Sequence, residues 1–291
     1  MSKNIALVLS SGGARGFAHV GAIKVLEQNG FNITSVAGTS MGAVVGGVFA
    51  TGQIQHFEEW LITLDIMEVL RLTDFSISKK GFVKGKKIIE KIKEIVPERN
   101  IEDLLIPFCA VATDIINGRE VYFTKGSLFE ALRASISIPT VLQPLKIGNL
   151  FFVDGGLMNP IPVNRVKRHD GDLLVVVDVN SPELKISHNV ENQHNHNRKY
   201  IKKIIEIQSK FSNIIPERDK DHIGVFNLTN RSIYTMMRKI SELTLEKCQP
   251  DLLINISHES FNIFDFYKAK EIIQEGERAT WAALEDFVEV C

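Results

Sequence analysis

Gly38-Thr39-Ser40-Met41-Gly42 places a serine between two glycines at the spacing G-x-S-x-G. Where such a serine ends a strand and the next residue opens a helix, the chain turns sharply and presents the hydroxyl. The following helix aims its free N–H groups and positive dipole end at that point, which suits a developing negative charge. A serine so held is a nucleophile for acyl transfer, provided that a base takes its proton. The plain alternative is a tight glycine turn with a capping serine, and the pattern alone does not separate the two.

A second glycine stretch lies upstream, Ser10-Ser11-Gly12-Gly13-Ala14-Arg15-Gly16. Consecutive glycines free backbone N–H groups to converge on an anion, either a bound phosphate or a transition-state oxyanion. The spacing is not G-x-G-x-x-G, and the Gly-Lys-Ser/Thr ending of a phosphate loop is absent. An oxyanion hole is the better reading, because a candidate nucleophile ends the neighbouring strand. Arg15 could add its charge there, although an arginine in a first turn is ordinarily only solvated.

The base is the open question. His258 stands in Ser257-His258-Glu259-Ser260 with no special context, and His19 on the first helix suits packing or capping. His188, His194 and His196 lie in a polar stretch without the spacing of a built metal site. Asp154 is better placed: it ends the apolar run Leu150–Val153 and precedes Gly155 and Gly156. An aspartate at a strand end can meet the end of a neighbouring strand, where Ser40 should lie. Alone, it would read as an ordinary Asp-Gly turn.

These residues need strands and helices to position them. Ile5–Ser10 is a short apolar run that reads as a buried parallel strand, Ile33–Ser40 reads as a second short strand, and Phe17–Asn29 and Met41–Ala50 read as helices. This βαβα opening predicts an α/β fold. Small residues at 42, 43, 46, 47 and 50 let the second helix approach another backbone, with the face of Ala18, Gly21 and Ala22 as the expected partner. Further on, Ile106–Ile115 and Arg119–Gly126 form a strand pair about an Asn-Gly turn. Ser127–Pro139 reads as a helix, Leu150–Asp154, Asp172–Val179 and Pro250–Ile256 as strands, and Phe266–Val288 as a C-terminal helix. No repeat or linker divides the chain, so one domain over 1–291 is expected, with a polar loop or lid-like insertion at about 182–230.

Composition bounds the rest. The 291 residues are 44% hydrophobic, enough for a sizeable core. Thirty-four Lys and Arg against 35 Asp and Glu argue against nucleic-acid binding. Cys109, Cys248 and Cys291 are an odd count without metal-ligand spacing, which suits a reducing compartment. No run approaches the roughly 18 apolar residues of a spanning helix, and no signal peptide is evident. A cytoplasmic location is expected.

Taken together, Gly12–Gly16, Gly38–Gly42, Ala131–Pro139 and Asp154–Val163 occur in an order and at spacings that resemble the patatin-like phospholipase family, particularly compact bacterial members. The resemblance runs from about Ile5 to the C-terminal helix and is least secure over 182–230. It implies a three-layer α/β/α sandwich with a mainly parallel sheet, and a lipid acyl hydrolase using a Ser-Asp dyad without histidine, metal or cofactor. By position, Ser40 would be the nucleophile and Asp154 the general base. The N–H groups of Gly12, Gly13 and Ala14, with Arg15 nearby, would form the oxyanion hole. Gly16, Gly38, Gly42, Gly155 and Gly156 complete the motifs. The implied partner is a lipid ester; which lipid, and the oligomeric state, are left open.

Lysines 79, 80, 84, 86, 87, 91 and 93 surround Gly81-Phe82-Val83, a basic patch with an apolar tip suited to peripheral contact with an anionic membrane. The plain reading is a solvated helix face with Glu90 and Glu94 interspersed. Two other classes of function remain: a phosphate- or nucleotide-binding protein, and a regulatory adaptor on the same scaffold. For the adaptor, Met236–Lys247 would be a partner helix, with core packing as its ordinary use.

Overall fold

The computed structural model describes residues 3–73, 84–182 and 225–290. The strands are β1 (Lys3–Leu9), β2 (Phe31–Thr39), β3 (Phe108–Asp114), β4 (Arg119–Phe123), β5 (Leu145–Ile147), β6 (Leu150–Asp154), β7 (Leu173–Ser181) and β8 (Leu252–Ser257). The α-helices among the described residues are α1 (Ala18–Gln28), α2 (Met41–Ala50), α3 (Ile54–Leu61), α4 (Ile66–Leu72), α5 (Lys86–Ile95), α6 (Leu128–Ser135), α7 (Val225–Cys248) and α8 (Ala269–Val290). Two compact units divide the chain, Met1–Glu183 with Met236–Cys291, and Leu184–Thr235. Of the second unit, the described part is the start of α7. The expected insertion, with its three histidines, and the 79–83 tip lie otherwise outside the described residues.

The sheet of the first unit runs β5-β6-β3-β2-β1-β7-β8, with β4 also paired to β3. Its centre is parallel from β3 to β8, while β4, β5 and β6 are antiparallel. β1 is buried on both faces, as its apolar run requires. Ile5, Leu7 and Leu9 join the core shared with α1, α2 and α8, whereas Val8 faces Ile161, Leu174 and Val176 on the other side. Helices on both faces make this the expected three-layer α/β/α sandwich.

Register sets the site. Thr39 at the end of β2 pairs with Val111, and the next β3 residue, Ala112, pairs with Asp154 of β6. Ser40 and Asp154 therefore flank β3 at one level.

The expected contact between α1 and α2 is corrected. The small face of α1 meets α8: a Cβ on Gly21 would lie 2.1 Å from Ile273 O, and one on Gly276 would lie 2.0 Å from Ala18 O. The glycines of α2 serve the sheet and α6 instead. A Cβ on Gly42 would fall 2.4 Å from Leu9 O, and Gly47 faces Leu128 and Leu132.

On α5, Ile89 and Ile92 are buried while Lys86, Lys91 and Lys93 pair with Glu90, Glu94 and Glu98. That is the pairing expected of a solvated face. Along α7, Ser241 is buried, and Leu245 and Cys248 pack on the Val8 and Ile161 core, so one face of this helix packs inward. Among the described residues no helix is long and apolar enough to cross a membrane.

Candidate active site

Ser40 occupies the elbow between β2 and α2 with φ 57° and ψ −125°. A non-glycine residue held there costs about 1–3 kcal/mol, and such strain persists only where surrounding contacts enforce it. The enforcement is visible. A Cβ on Gly38 would sit 2.3 Å from Gly42 O, so the two sides of the turn touch backbone to backbone. The Ser40 N–H donates to Ser135 Oγ at 2.8 Å, and that hydroxyl donates onward to Val111 O at 2.6 Å.

Ser40 Oγ donates to Asp154 Oδ2 at 2.5 Å, with both residues buried. The other carboxylate oxygen accepts from Gly156 N–H at 2.8 Å. Asp154 N–H donates to Ser137 O at 2.9 Å, and Thr113 Oγ1 donates to Asp154 O at 3.1 Å. Burial pushes the Asp154 carboxyl up to about 6, against the downward pull of the Ser40 and Gly156 hydrogen bonds. A carboxylate titrating near 6 is a better base at neutral pH than an ordinary one.

The glycine loop sits against the ends of β7 and β8. Ser10 N–H donates to Val177 O at 3.1 Å, Ser11 N–H to Pro160 O at 2.9 Å and Ala14 N–H to Ile263 O at 2.9 Å. Gly13 takes φ +57°, and a Cβ on it would lie 2.7 Å from Ile263 O. Arg15 is buried, donating from Nη2 to Asn180 Oδ1 at 2.6 Å and from Nη1 to His258 O at 2.8 Å. Asn180 Nδ2 in turn donates to Ser11 O. Of the four anticipated oxyanion groups, the Ala14 N–H and the Arg15 guanidinium are thus engaged in holding the loop. The Gly12 and Gly13 N–H groups have no partner among the described residues.

The histidines have other engagements. His19 is fully buried and its Nε2–H donates to Ser10 O at 2.9 Å; burial lowers its pKa to about 4, so it stays neutral. His258 Nδ1 bonds Ser181 O at 3.0 Å, and its carbonyl anchors Arg15.

Sequence reasoning missed the residues that brace the site. Ser135 and Ser137 stand in Ala131–Pro139, which carried the resemblance without a role. Two serines at the inward end of a helix otherwise rich in buried alanine and leucine were the available signal. Arg133 donates to Ser137 Oγ at 2.6 Å and ties it to Lys84 O and Gln143 O. Asn159 fixes the other side, its carbonyl accepting from Thr39 Oγ1 at 2.8 Å.

A family model of the patatin-like phospholipases matches residues 7–166, which include the glycine loop, the elbow and Asp154. The chain belongs to the patatin-like phospholipase family. Patatin-like relatives extend the match beyond that segment. An uncharacterised NTE family protein of Mycobacterium tuberculosis is 31% identical over 335 residues, covering 98% of this chain and 92% of that one. Patatin-like phospholipase domain-containing protein 7 of Rattus norvegicus is 34% identical over 185 residues, 61% of this chain and 14% of its own. Among solved structures, VipD from Legionella pneumophila aligns with a TM-score of 0.47 at 13% identity, over 98% of this chain and 67% of that chain. Membership in the patatin-like phospholipases points to a lipid hydrolase.

Proposed function

We propose that this chain is a lipid acyl hydrolase, a serine esterase of the phospholipase or lysophospholipase type, in which Ser40 is the nucleophile and Asp154 its base. The observation that carries the reading is the 2.5 Å Ser40–Asp154 hydrogen bond in a buried, strained elbow. Ser40 Oγ attacks the ester carbonyl as Asp154 takes its proton. The carbonyl oxygen becomes an oxyanion held by the Gly12 and Gly13 N–H groups, beside the N-terminus of α2. Collapse breaks the bond to the alcohol, which leaves with the proton from Asp154. Water then attacks acyl-Ser40, Asp154 takes a water proton, and the fatty acid departs as Ser40 regains its hydrogen.

No metal or cofactor enters this scheme. Residues 182–230 are read as an insertion within one hydrolase domain, and the substrate brings the chain to a lipid surface as a peripheral contact. The test is a panel of phospholipid, lysophospholipid and simple acyl esters assayed with the purified chain. Hydrolysis of at least one lipid ester is expected, and inactivity across the panel contradicts the proposal.

The base also sets a pH dependence. Only the ionised carboxylate accepts the Ser40 proton, so kcat/KM should rise through about pH 6 and level off above it. A profile unchanged between about pH 5 and 7 would show that another group is the base.

A further inference from the structure

The sheet does not stop at the level of Ser40. β2 ends at Thr39, opposite Val111, but β3 runs on through Ala112, Thr113 and Asp114. β4 returns from Arg119, opposite Asp114, and β6 lies antiparallel, with Phe152 opposite Asp114 and Asp154 opposite Ala112. β5 pairs with the outer part of β6, Lys146 opposite Phe151. Two hairpins, turning at residues 115–118 and 148–149, therefore project past Ser40 and Asp154 on the carboxyl edge of the sheet. At about 3.3 Å per residue, Ile115 stands roughly 10 Å beyond the level of Asp154.

This projection is apolar where it meets water. Ile115 is 48% exposed, Ile116 67% and Phe151 36%. Ile115 N–H donates to Phe151 O at 3.0 Å, so the three residues stand on adjoining backbone. The β3–β4 turn does not need the isoleucine side chains. Asp114 closes it, its carboxylate accepting from Asn117 Nδ2 at 2.6 Å and from Ile116 N–H at 3.3 Å. Polar residues are the usual choice in such a turn, and adjoining exposed apolar side chains mark an interaction surface.

Charge indicates the partner. Asp114, the one acid among residues 114–119 and 145–151, has a fully buried side chain paired with Arg119 at 3.1 Å. The charges that reach water are Arg119, whose side chain is 60% exposed, and Lys146. Lys146 Nζ lies 5.4 Å from the Phe151 ring centroid, so a cation sits on the apolar patch itself. A second copy of this chain, docked face to face, would set these cations against each other. An anionic lipid surface takes both features, apolar side chains below the headgroups and cations among them. We infer that Ile115, Ile116 and Phe151 form the surface by which the chain docks on an anionic bilayer. The inference rests on the lipid-ester reading proposed above and assigns the face that meets the lipid. A tip sunk about 5–10 Å brings a site some 10 Å behind it to the headgroups.

The test uses vesicles of phosphatidylcholine and phosphatidylglycerol in equal parts. Binding is read by co-sedimentation in the Ser40→Ala background, which leaves the lipid intact. Ile115→Ser with Ile116→Ser should weaken binding about tenfold or more. With Ser40 present, the same pair should lower hydrolysis of vesicle lipid and keep wild-type turnover of a short-chain p-nitrophenyl ester, which also reports that the chain is folded. Ile116→Ser alone, at the more exposed position, gives the same readout in a chain changed less. Lys146→Gln should weaken binding to these vesicles about fivefold and leave binding to phosphatidylcholine alone as it was. Vesicle binding by the double variant equal to that of its parent overturns the inference. So does a parent chain that binds no vesicle and instead forms a dimer that the double variant loses. Vesicle binding that depends on the two isoleucines, in a chain that hydrolyses no ester, supports the surface and overturns the proposed function.

Discussion

Ser40→Ala is expected to lower ester hydrolysis by about 10⁴-fold or more, because the covalent route disappears with the hydroxyl. The fold should survive. The lost hydroxyl makes one hydrogen bond, to Asp154, while the elbow is held through the Ser40 N–H and through Gly38 and Gly42. Alanine keeps the strain of φ 57°, whereas glycine adopts that region freely. Ser40→Gly should therefore be equally inactive yet more stable than Ser40→Ala by about 1 kcal/mol. Paired chemical denaturation of the two variants measures the difference. Equal stability would mean that the elbow is unstrained.

Asp154→Asn is expected to be nearly as damaging to activity and to have the opposite effect on stability. Asparagine keeps an acceptor for Gly156 N–H and can donate to Ser40 Oγ, but it cannot take a proton. The stability argument follows from burial, which raises the folded pKa from 3.8 to about 6. Below pH 3.8 the carboxyl is neutral in both the folded and unfolded chains. Between the two values the unfolded chain ionises first, so wild-type stability falls as pH rises through this window and is level above it. At pH 7 the wild type carries a destabilising buried charge, and Asp154→Asn should be more stable by about 1–3 kcal/mol. That advantage should shrink towards pH 4. Thermal melts of both proteins across this range test it, and a variant less stable than wild type at pH 7 would contradict the burial argument.

The α/β fold was legible because β1, β3 and β7 are short, largely apolar runs buried on both faces, and such runs leave few alternatives to a central sheet. Ser40 and Asp154 stood out for a related reason: each ends a strand at a glycine turn, and strand ends are where an open sheet collects its chemistry. Their 2.5 Å contact needed the β2–β3–β6 register, which no local pattern encodes.

The supporting residues were less legible. Arg15 reads as a solvated first-turn arginine, and only the fold brings Asn180 and His258 round to bury it. Ser135 and Ser137 act across 95 and 17 residues, respectively. The partner of the small face of α1 lies some 250 residues away in α8, and composition cannot single it out from the nearer small face of α2.

The central claim is that Ser40 is an activated nucleophile beside a buried carboxylate. It is tested most directly by treating the purified chain with a fluorophosphonate ester and mapping the adduct by peptide mass spectrometry. The account predicts one adduct, on Ser40, with labelling that strengthens as pH rises through about 6 and is lost in Ser40→Ala. Labelling at another residue, or none in a chain that hydrolyses lipid esters, would contradict it.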